Sequence, residues 1–219
     1  ALRAHPYAFK EVDAVVNGDA KAFDEAFWGH IGHVVRNLVR AKVLSLTRGF
    51  IAFTPGDSVT KRYFRKLNWA SAQFAILSDI AMGVLGGKLK VKEKLTGRFA
   101  DILSHMYLAT SVLRRYEAEG RRKEDIPFVK YSLDHCFNEI QKAFEGIFEN
   151  FDNPLLGWLF KGPAYWWINV NKLSSPPSDE LGHKLCQLIM TDGDQRDRIT
   201  EGMFIPDDVN QAVGRQERA

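Results

Sequence analysis

Residues 77–120 read LSDIAMGVLGGKLKVKEKLTGRFADILSHMYLATSVLRRYEAEG. In the second half, Leu95, Phe99, Ile102, Met106, Ala109, Leu113 and Tyr116 follow one another at spacings of 4, 3, 4, 3, 4 and 3. That rhythm lays seven mostly apolar side chains along one stripe of a helix, the pattern by which helices pack in bundles and coiled coils. The first half has the length and apolar content of a second long helix. Gly86-Gly87 separates the two, and the chain is expected to reverse there. A reversal near Lys88 sets side by side residues whose numbers sum to about 177. Asp79 and Arg98 would then face one another, each interrupting an apolar run. A buried charge is tolerated only when paired and hydrogen-bonded, so the expectation is a structural ion pair that fixes the register of the two helices.

Working outward, the same periodicity recurs. A short helix is expected around Tyr7 to Val16. Asn17-Gly18-Asp19 then makes a turn and supplies an N-cap. A second helix runs to about Leu46, with Phe23, Phe27, Ile31, Val34 and Leu38 on one face and Gly49 as its stop. Thr54-Pro55-Gly56-Asp57 signals a turn. The third helix covers about Thr60 to Leu85, with Phe64, Leu67, Ser71, Phe74, Ala81 and Leu85 inward. The fourth covers about Leu89 to Glu119 and stops at Gly120. The fifth starts near Asp125-Ile126-Pro127, with proline in its first turn, and carries Leu133, Phe137, Ile140, Phe144, Ile147 and Phe151. Strand signals are nearly absent. The expected fold is all-α: an antiparallel four-helix bundle over residues 1–151. Residues 152–219 are expected to pack on it as an aromatic loop segment, a short helix capped by Ser178 and a polar irregular tail.

The segment PLLGWLFKGPAYWWINVNKLSSPP, residues 154–177, holds three of the five tryptophans and several helix breakers. Its rings, Trp158, Phe160, Tyr165, Trp166 and Trp167, suit core packing, an oligomer interface or a membrane-surface anchor. Lys161, Gly162 and Pro163 interrupt them, so a hairpin or two short helices is expected rather than one long helix. Several of the five rings are expected to be exposed as a membrane or partner contact, with Lys161 and Lys172 available to anionic headgroups. The most apolar long stretch, Leu67 to Gly87, contains Asn68, Ser71, Gln73, Ser78 and Asp79. It reads better as a buried bundle helix than as a membrane span.

A net charge of +3 over 219 residues is too small to imply nucleic acid. The basic clusters Lys88, Lys90, Lys92, Lys94 and Arg114, Arg115, Arg121, Arg122, Lys123 flank helix ends and read as solvated caps. Cys136 and Cys186 have no metal-type or disulfide-type spacing, which fits a reducing compartment. His30-Ile31-Gly32-His33 spells a class I aminoacyl-tRNA synthetase signature, but it lies inside a helix without a parallel-sheet context, and coincidence is the reading. No third histidine or carboxylate stands near it in sequence to make a metal site. Glu124-Asp125 and Asp207-Asp208 sit at helix starts or turns, where capping explains them. No GxGxxG, Walker, GxSxG or HExxH pattern occurs. These residues assign no catalytic, cofactor-binding or metal-ligating role.

The central pattern LGGxLKxxExLxxRxxDILSxxYLAxxVLxRYxxEG resembles the C-terminal helical region of the large bacterial acyl-CoA dehydrogenases of fatty-acid β-oxidation. The resemblance begins at Ala1-Leu2-Arg3-Ala4-His5-Pro6-Tyr7. It continues through Gly32-His33, Leu46-Thr47-Arg48-Gly49 and Thr60-Lys61-Arg62-Tyr63, and persists through Pro176-Pro177-Ser178-Asp179, Leu181 and His183-Lys184. It implies a parent flavoenzyme that oxidises fatty acyl-CoA to trans-2-enoyl-CoA with FAD, using a glutamate base and flavin contacts upstream of Ala1. Glu119-Gly120, Glu145-Gly146 and Glu201-Gly202 lack the family's surrounding motif, and no catalytic role passes to them. The expectation is therefore a fragment of a longer cytoplasmic protein that binds no FAD and is inactive alone. It would serve assembly, stability or peripheral inner-membrane attachment, with the upstream flavoprotein domains and a second copy in a homodimer as partners. A stand-alone helical adaptor that binds a partner or membrane is the alternative.

Overall fold

The computed structural model describes residues 5–204, 206–208 and 210–216. Residues 1–4, 205, 209 and 217–219 of the two expected segments lie outside the described residues. Helices run α1 Ala8–Val16, α2 Ala20–Leu46, α3 Lys61–Leu85, α4 Glu93–Ala118 and α5 Ile126–Asn150. Shorter ones follow: α6 Gly157–Leu159, α7 Tyr165–Val170, α8 Asp179–Met190, α9 Asp194–Thr200 and α10 Ala212–Gln216. The fold is all-α, and no strand occurs among the described residues.

The punctuation read in the sequence is what shapes these elements. The Asp19 carboxylate accepts from the Ala22 amide, and the Ser178 hydroxyl from the Leu181 amide, each satisfying a donor that a helix start leaves free. The Asp57 carboxylate accepts from the amides of Val59 and Thr60 at the entry to α3, and those bonds hold its carboxyl below the usual range. Gly49 follows α2 with φ +73°, and a Cβ there would lie 2.5 Å from the Arg65 carbonyl oxygen, so only glycine fits. A 3-10 turn, Gly86–Lys90, reverses the chain between α3 and α4.

The core is built around α5. Leu133, Phe137, Ile140, Phe144, Ile147 and Phe151 are all buried, as are Leu95, Ile102, Met106, Ala109, Leu113 and Tyr116 of α4. These two stripes pack against one another along the length of both helices. Helix α3 lies against α2, α4 and α5 and buries Tyr63, Trp69, Ala70, Ala72, Ile76, Leu77, Ala81 and Leu85. Residues 61–90 are long and apolar enough to cross a membrane by composition alone, yet here they supply core.

Helix α2 departs from the expected pattern. It runs beside α1 and α3 and buries only Ala26, Ala41, Leu44 and Ser45. Most of its expected core face is open: Phe23, Phe27, Ile31 and Leu38 are exposed, while Val34 packs on the core. The tail is also more ordered than its polar composition suggested. Arg198 of α9 pairs with Glu119 and Asp125, holding α9 over the α4–α5 turn.

The Asp79–Arg98 ion pair does not form. Asp79 turns toward α2, where its carboxylate lies 3.2 Å from the Asn37 amide nitrogen and 3.5 Å from His5. Arg98 lies across α5 at Gly146, where a Cβ would come within 2.5 Å of its Nε. Summing residue numbers sets the height of two residues along a hairpin but not the rotation of each helix about its axis. That rotation sends the two charges to opposite neighbours.

Candidate functional site

Three features carry the chemistry of the chain: a histidine cluster where α1, α2 and α3 meet, an apolar cavity beside a basic cleft, and the open face of α2.

The cluster joins residues far apart in sequence. The His5 ring centre lies 4.5 Å from that of His30 and 5.4 Å from that of His33. His5 Nδ1 accepts from the backbone N–H of Ala8 at 2.9 Å and of Tyr7 at 3.3 Å, and so caps α1. Those contacts assign the proton to Nε2, which is buried and faces Asp79 Oδ1 across 3.5 Å. Asn37 Nδ2 contacts both Asp79 Oδ2, at 3.2 Å, and His33 Nε2, at 2.9 Å. His30 Nδ1 meets Glu11 Oε1 at 2.8 Å. Burial, and then the neighbouring His30, push the His5 pKa below its ordinary value.

Ligand atoms of His5, His33 and Asp79 lie within 4.8 Å of one another, as a metal site would require. The hydrogen bonds run the wrong way for one. A metal takes the lone pair of one ring nitrogen while the other donates its N–H to an acceptor. Here His5 Nδ1 is itself an acceptor, and the His33 Nε2 lone pair faces the Asn37 amide. The donor set suits a proton-bearing network that pins the segment before α1 to the helices. Sequence reading missed it because Asp79 and His5 reach His33 only through tertiary packing.

The aromatic segment divides. Phe160 is core, 4% exposed, with its ring centre 4.3 Å from Phe151 and 5.2 Å from Phe148. Tyr165 packs partly buried against the core. Trp167 donates its indole N–H to the Ser45 hydroxyl at 2.9 Å. Trp158 and Trp166 stand out, 70% and 63% exposed. The break at Lys161-Gly162-Pro163 becomes a π-helical turn, Phe160–Ala164, between α6 and α7. A π turn widens the backbone, and such turns recur at functional sites.

That turn walls a cavity of about 270 Å³ between α2, α3 and α5, lined by Leu38, Ile76, Phe144, Phe148, Phe160 and Trp167 among others. Ser45, Gln141 and Asn171 in its wall are committed to structural bonds. Asn171 donates to the Ser45 carbonyl, Gln141 donates to the Ile168 carbonyl, and Gln141 Oε1 accepts from the Leu173 amide.

On α2, Phe27, Trp28, Ile31, Val35, Leu38, Val39 and Leu46 are exposed, and Phe50, Ile51 and Phe53 continue the patch into the following loop. From Phe27 to Leu46 the helix covers about 28 Å at ~1.5 Å per residue. Apolar exposure along so much of one helix is uncommon on a protein surface.

The sequence matches the family of the acyl-CoA dehydrogenase C-terminal region, bacterial type, over residues 2–219. The chain belongs to that family. It is thus the C-terminal part of an oxidoreductase flavoprotein of fatty-acid metabolism, and no solved structure matches it. Acyl-CoA dehydrogenases use FAD. The apolar cavity between α2, α3 and α5 does not suit that polar, charged cofactor. The cavity is walled mainly by apolar side chains, and Ser45, Gln141 and Asn171 in its wall are bonded to the protein. The resemblance read from residues 77–120 is the feature that found the family.

Proposed function

We propose that this domain serves assembly and stability of its parent acyl-CoA dehydrogenase and supplies no catalytic base. The observation that carries the reading is the open apolar face of α2. A soluble chain rarely leaves some ten large apolar side chains in water along one helix and its adjoining loop, and burying them recovers ~25 cal/mol for each Å² removed from water. Their natural cover is the rest of the parent chain or the same face of a second copy. An isologous pairing would bring α2 against α2 in a dimer. The domain alone would neither retain FAD nor turn over acyl-CoA.

The test is to introduce Ile31→Glu and Val35→Glu together in the full-length enzyme. Loss of the assembled mass in light scattering, or a lowered melting temperature with an unchanged helical spectrum, is expected. An enzyme with unaltered mass, melting and flavin content would refute the role. Turnover by the isolated domain, abolished by changing one of its own glutamates, would refute the inactive reading.

A second reading concerns Trp158 and Trp166, whose exposure with Leu155 suits peripheral contact with a membrane surface. Co-sedimentation with anionic vesicles that is lost on Trp158→Ala and Trp166→Ala would support it. Equal sedimentation of variant and parent would remove it.

A further inference from the structure

Beside the apolar cavity lies an open cleft of about 440 Å³ with the opposite character. Arg48, Arg62, Lys66 and Lys172 line it, and Asp134 is the one carboxylate among its lining residues. Lys66 is the half-buried member of the four cations, and the other three are exposed. It rises from α3 beside two rings that stack on one another, Tyr63 and Phe137, with centres 6.2 Å apart. Its Nζ stands 5.9 Å from the first ring centre and 5.6 Å from the second.

No acid holds this amine. Asp134 accepts from the Tyr63 hydroxyl at 3.0 Å and pairs with Arg62 at 3.5 Å, and no carboxylate pairs with Lys66 among the described residues. Lys66 Nζ donates to Ser174 Oγ at 3.0 Å, and that hydroxyl gives its own proton to the Ser175 carbonyl at 3.3 Å. A neutral amine keeps the bond to Ser174 through one N–H and has its lone pair free for attack. Burial brings the Lys66 pKa down to about 8, with the Arg62 cation acting the same way and the Asp134 charge opposing it. At about pH 7.5 roughly a quarter of such amines are neutral, against about a tenth of one per cent of ordinary lysines. A desolvated lysine beside other cations is the usual form of an activated amine nucleophile. The guanidinium groups of Arg48 and Arg62 stay charged and match the geometry of phosphate. Arg48 is held in place through Nε, which donates to Asn171 Oδ1 at 2.8 Å. The cleft thus sets one amine with a free lone pair among three cations that attract phosphate.

We propose that Lys66 is a site of covalent acylation, taking the acyl group from a donor whose phosphate the cleft holds on Arg48, Arg62 and Lys172. The neutral Nζ attacks the acyl carbonyl carbon. A C–N bond forms, the bond from that carbon to a phosphate oxygen or a thiol sulfur breaks, and the leaving group departs with the electron pair. The amine gives up one proton to water, so the product is a neutral amide, and nothing is oxidised or reduced. Acyl phosphates and the acyl thioesters of phosphorylated carriers share this chemistry. The product has one cation fewer in the cleft, which weakens its hold on anions. This modification goes beyond the assembly role and does not depend on it.

Acetyl phosphate added to the full-length enzyme, followed by proteolysis and mass spectrometry of the lysine-bearing peptides, tests the proposal. Lys66 is expected to be acetylated at least tenfold faster than Lys172, its exposed neighbour in the cleft. Its rate should rise to half of its maximum near pH 8. Acetyl-CoA in a second arm separates the two sources, and the faster donor identifies which one the cleft favours. S-acetyl-N-acetylcysteamine, a thioester without phosphate, should acetylate Lys66 at least fivefold more slowly than acetyl-CoA. Lys172→Gln, a surface change that leaves the fold intact, should slow the reaction of Lys66 with acetyl-CoA about threefold and leave that with the cysteamine thioester unaltered. Acetylation of Lys66 no faster than that of Lys172, or equal rates with acetyl-CoA and the cysteamine thioester, overturns the proposal.

Discussion

The Trp167 indole N–H rests on the Ser45 hydroxyl at 2.9 Å, joining residues 122 positions apart. With Asn171 on the Ser45 carbonyl at 2.8 Å, it ties the C-terminal aromatic segment to the end of α2. Trp167→Phe keeps the ring and removes the donor, and is expected to cost about 1 kcal/mol in urea denaturation. Ser45→Ala should cost a similar amount, and the double variant less than the sum if the bond is what both remove.

The aromatic segment should split in its energetics as it does in its burial. Phe160→Ala empties a site between Phe148 and Phe151 and is expected to cost about 3–5 kcal/mol. Trp158→Ala and Trp166→Ala, on exposed rings, should stay within about 0.5 kcal/mol. Melting curves of the three variants decide it.

Gly49 and Gly120 both have positive φ, +73° and +82°, but only Gly49 meets backbone across from it. Gly120→Ala has open space and should cost about 1 kcal/mol. Gly49→Ala adds a clash with the Arg65 carbonyl and should cost clearly more, read as the difference in urea midpoints.

Acid should loosen the first helix. His5 has a lowered pKa in the folded chain, so the unfolded chain binds its proton first. The contribution of His5 is therefore complete above about pH 6.5 and declines as pH falls below that ordinary value. The titratable groups facing it are His30, His33, Glu11 and Asp79. His5→Gln keeps an acceptor for the α1 cap but cannot titrate. Its melting temperature should change less than that of the parent between pH 7 and pH 5.

The long helices were legible because local signals and packing agree. Glycine and proline punctuation, the Asp19 and Ser178 caps and the 4-3 spacing of Leu95 through Tyr116 all follow from backbone chemistry within a few residues. The α2 face misled because Phe27 and Ile31 carry the same periodicity whether the cover is the chain's own core or another surface. The Asp79–Arg98 expectation failed on helix rotation, which the sequence pattern leaves free. The histidine cluster and the cleft were invisible because their members lie on three or more separate elements, and only packing assembles them. Arg198 reaching back to Glu119 and Asp125 is the same kind of contact, and it orders a tail that composition alone marks as irregular.

Burial of α2 in the intact enzyme is read most directly by thiol labelling of Val35→Cys, with the exposed native Cys186 as internal reference and Cys136 buried. In the isolated domain the new thiol should react with a maleimide at about the rate of Cys186. In the full-length enzyme, where the α2 face is covered by the rest of the chain or by a second copy, its labelling should slow at least tenfold while Cys186 remains the reference. Equal rates at position 35 in the isolated domain and in the full-length enzyme would contradict the assembly role.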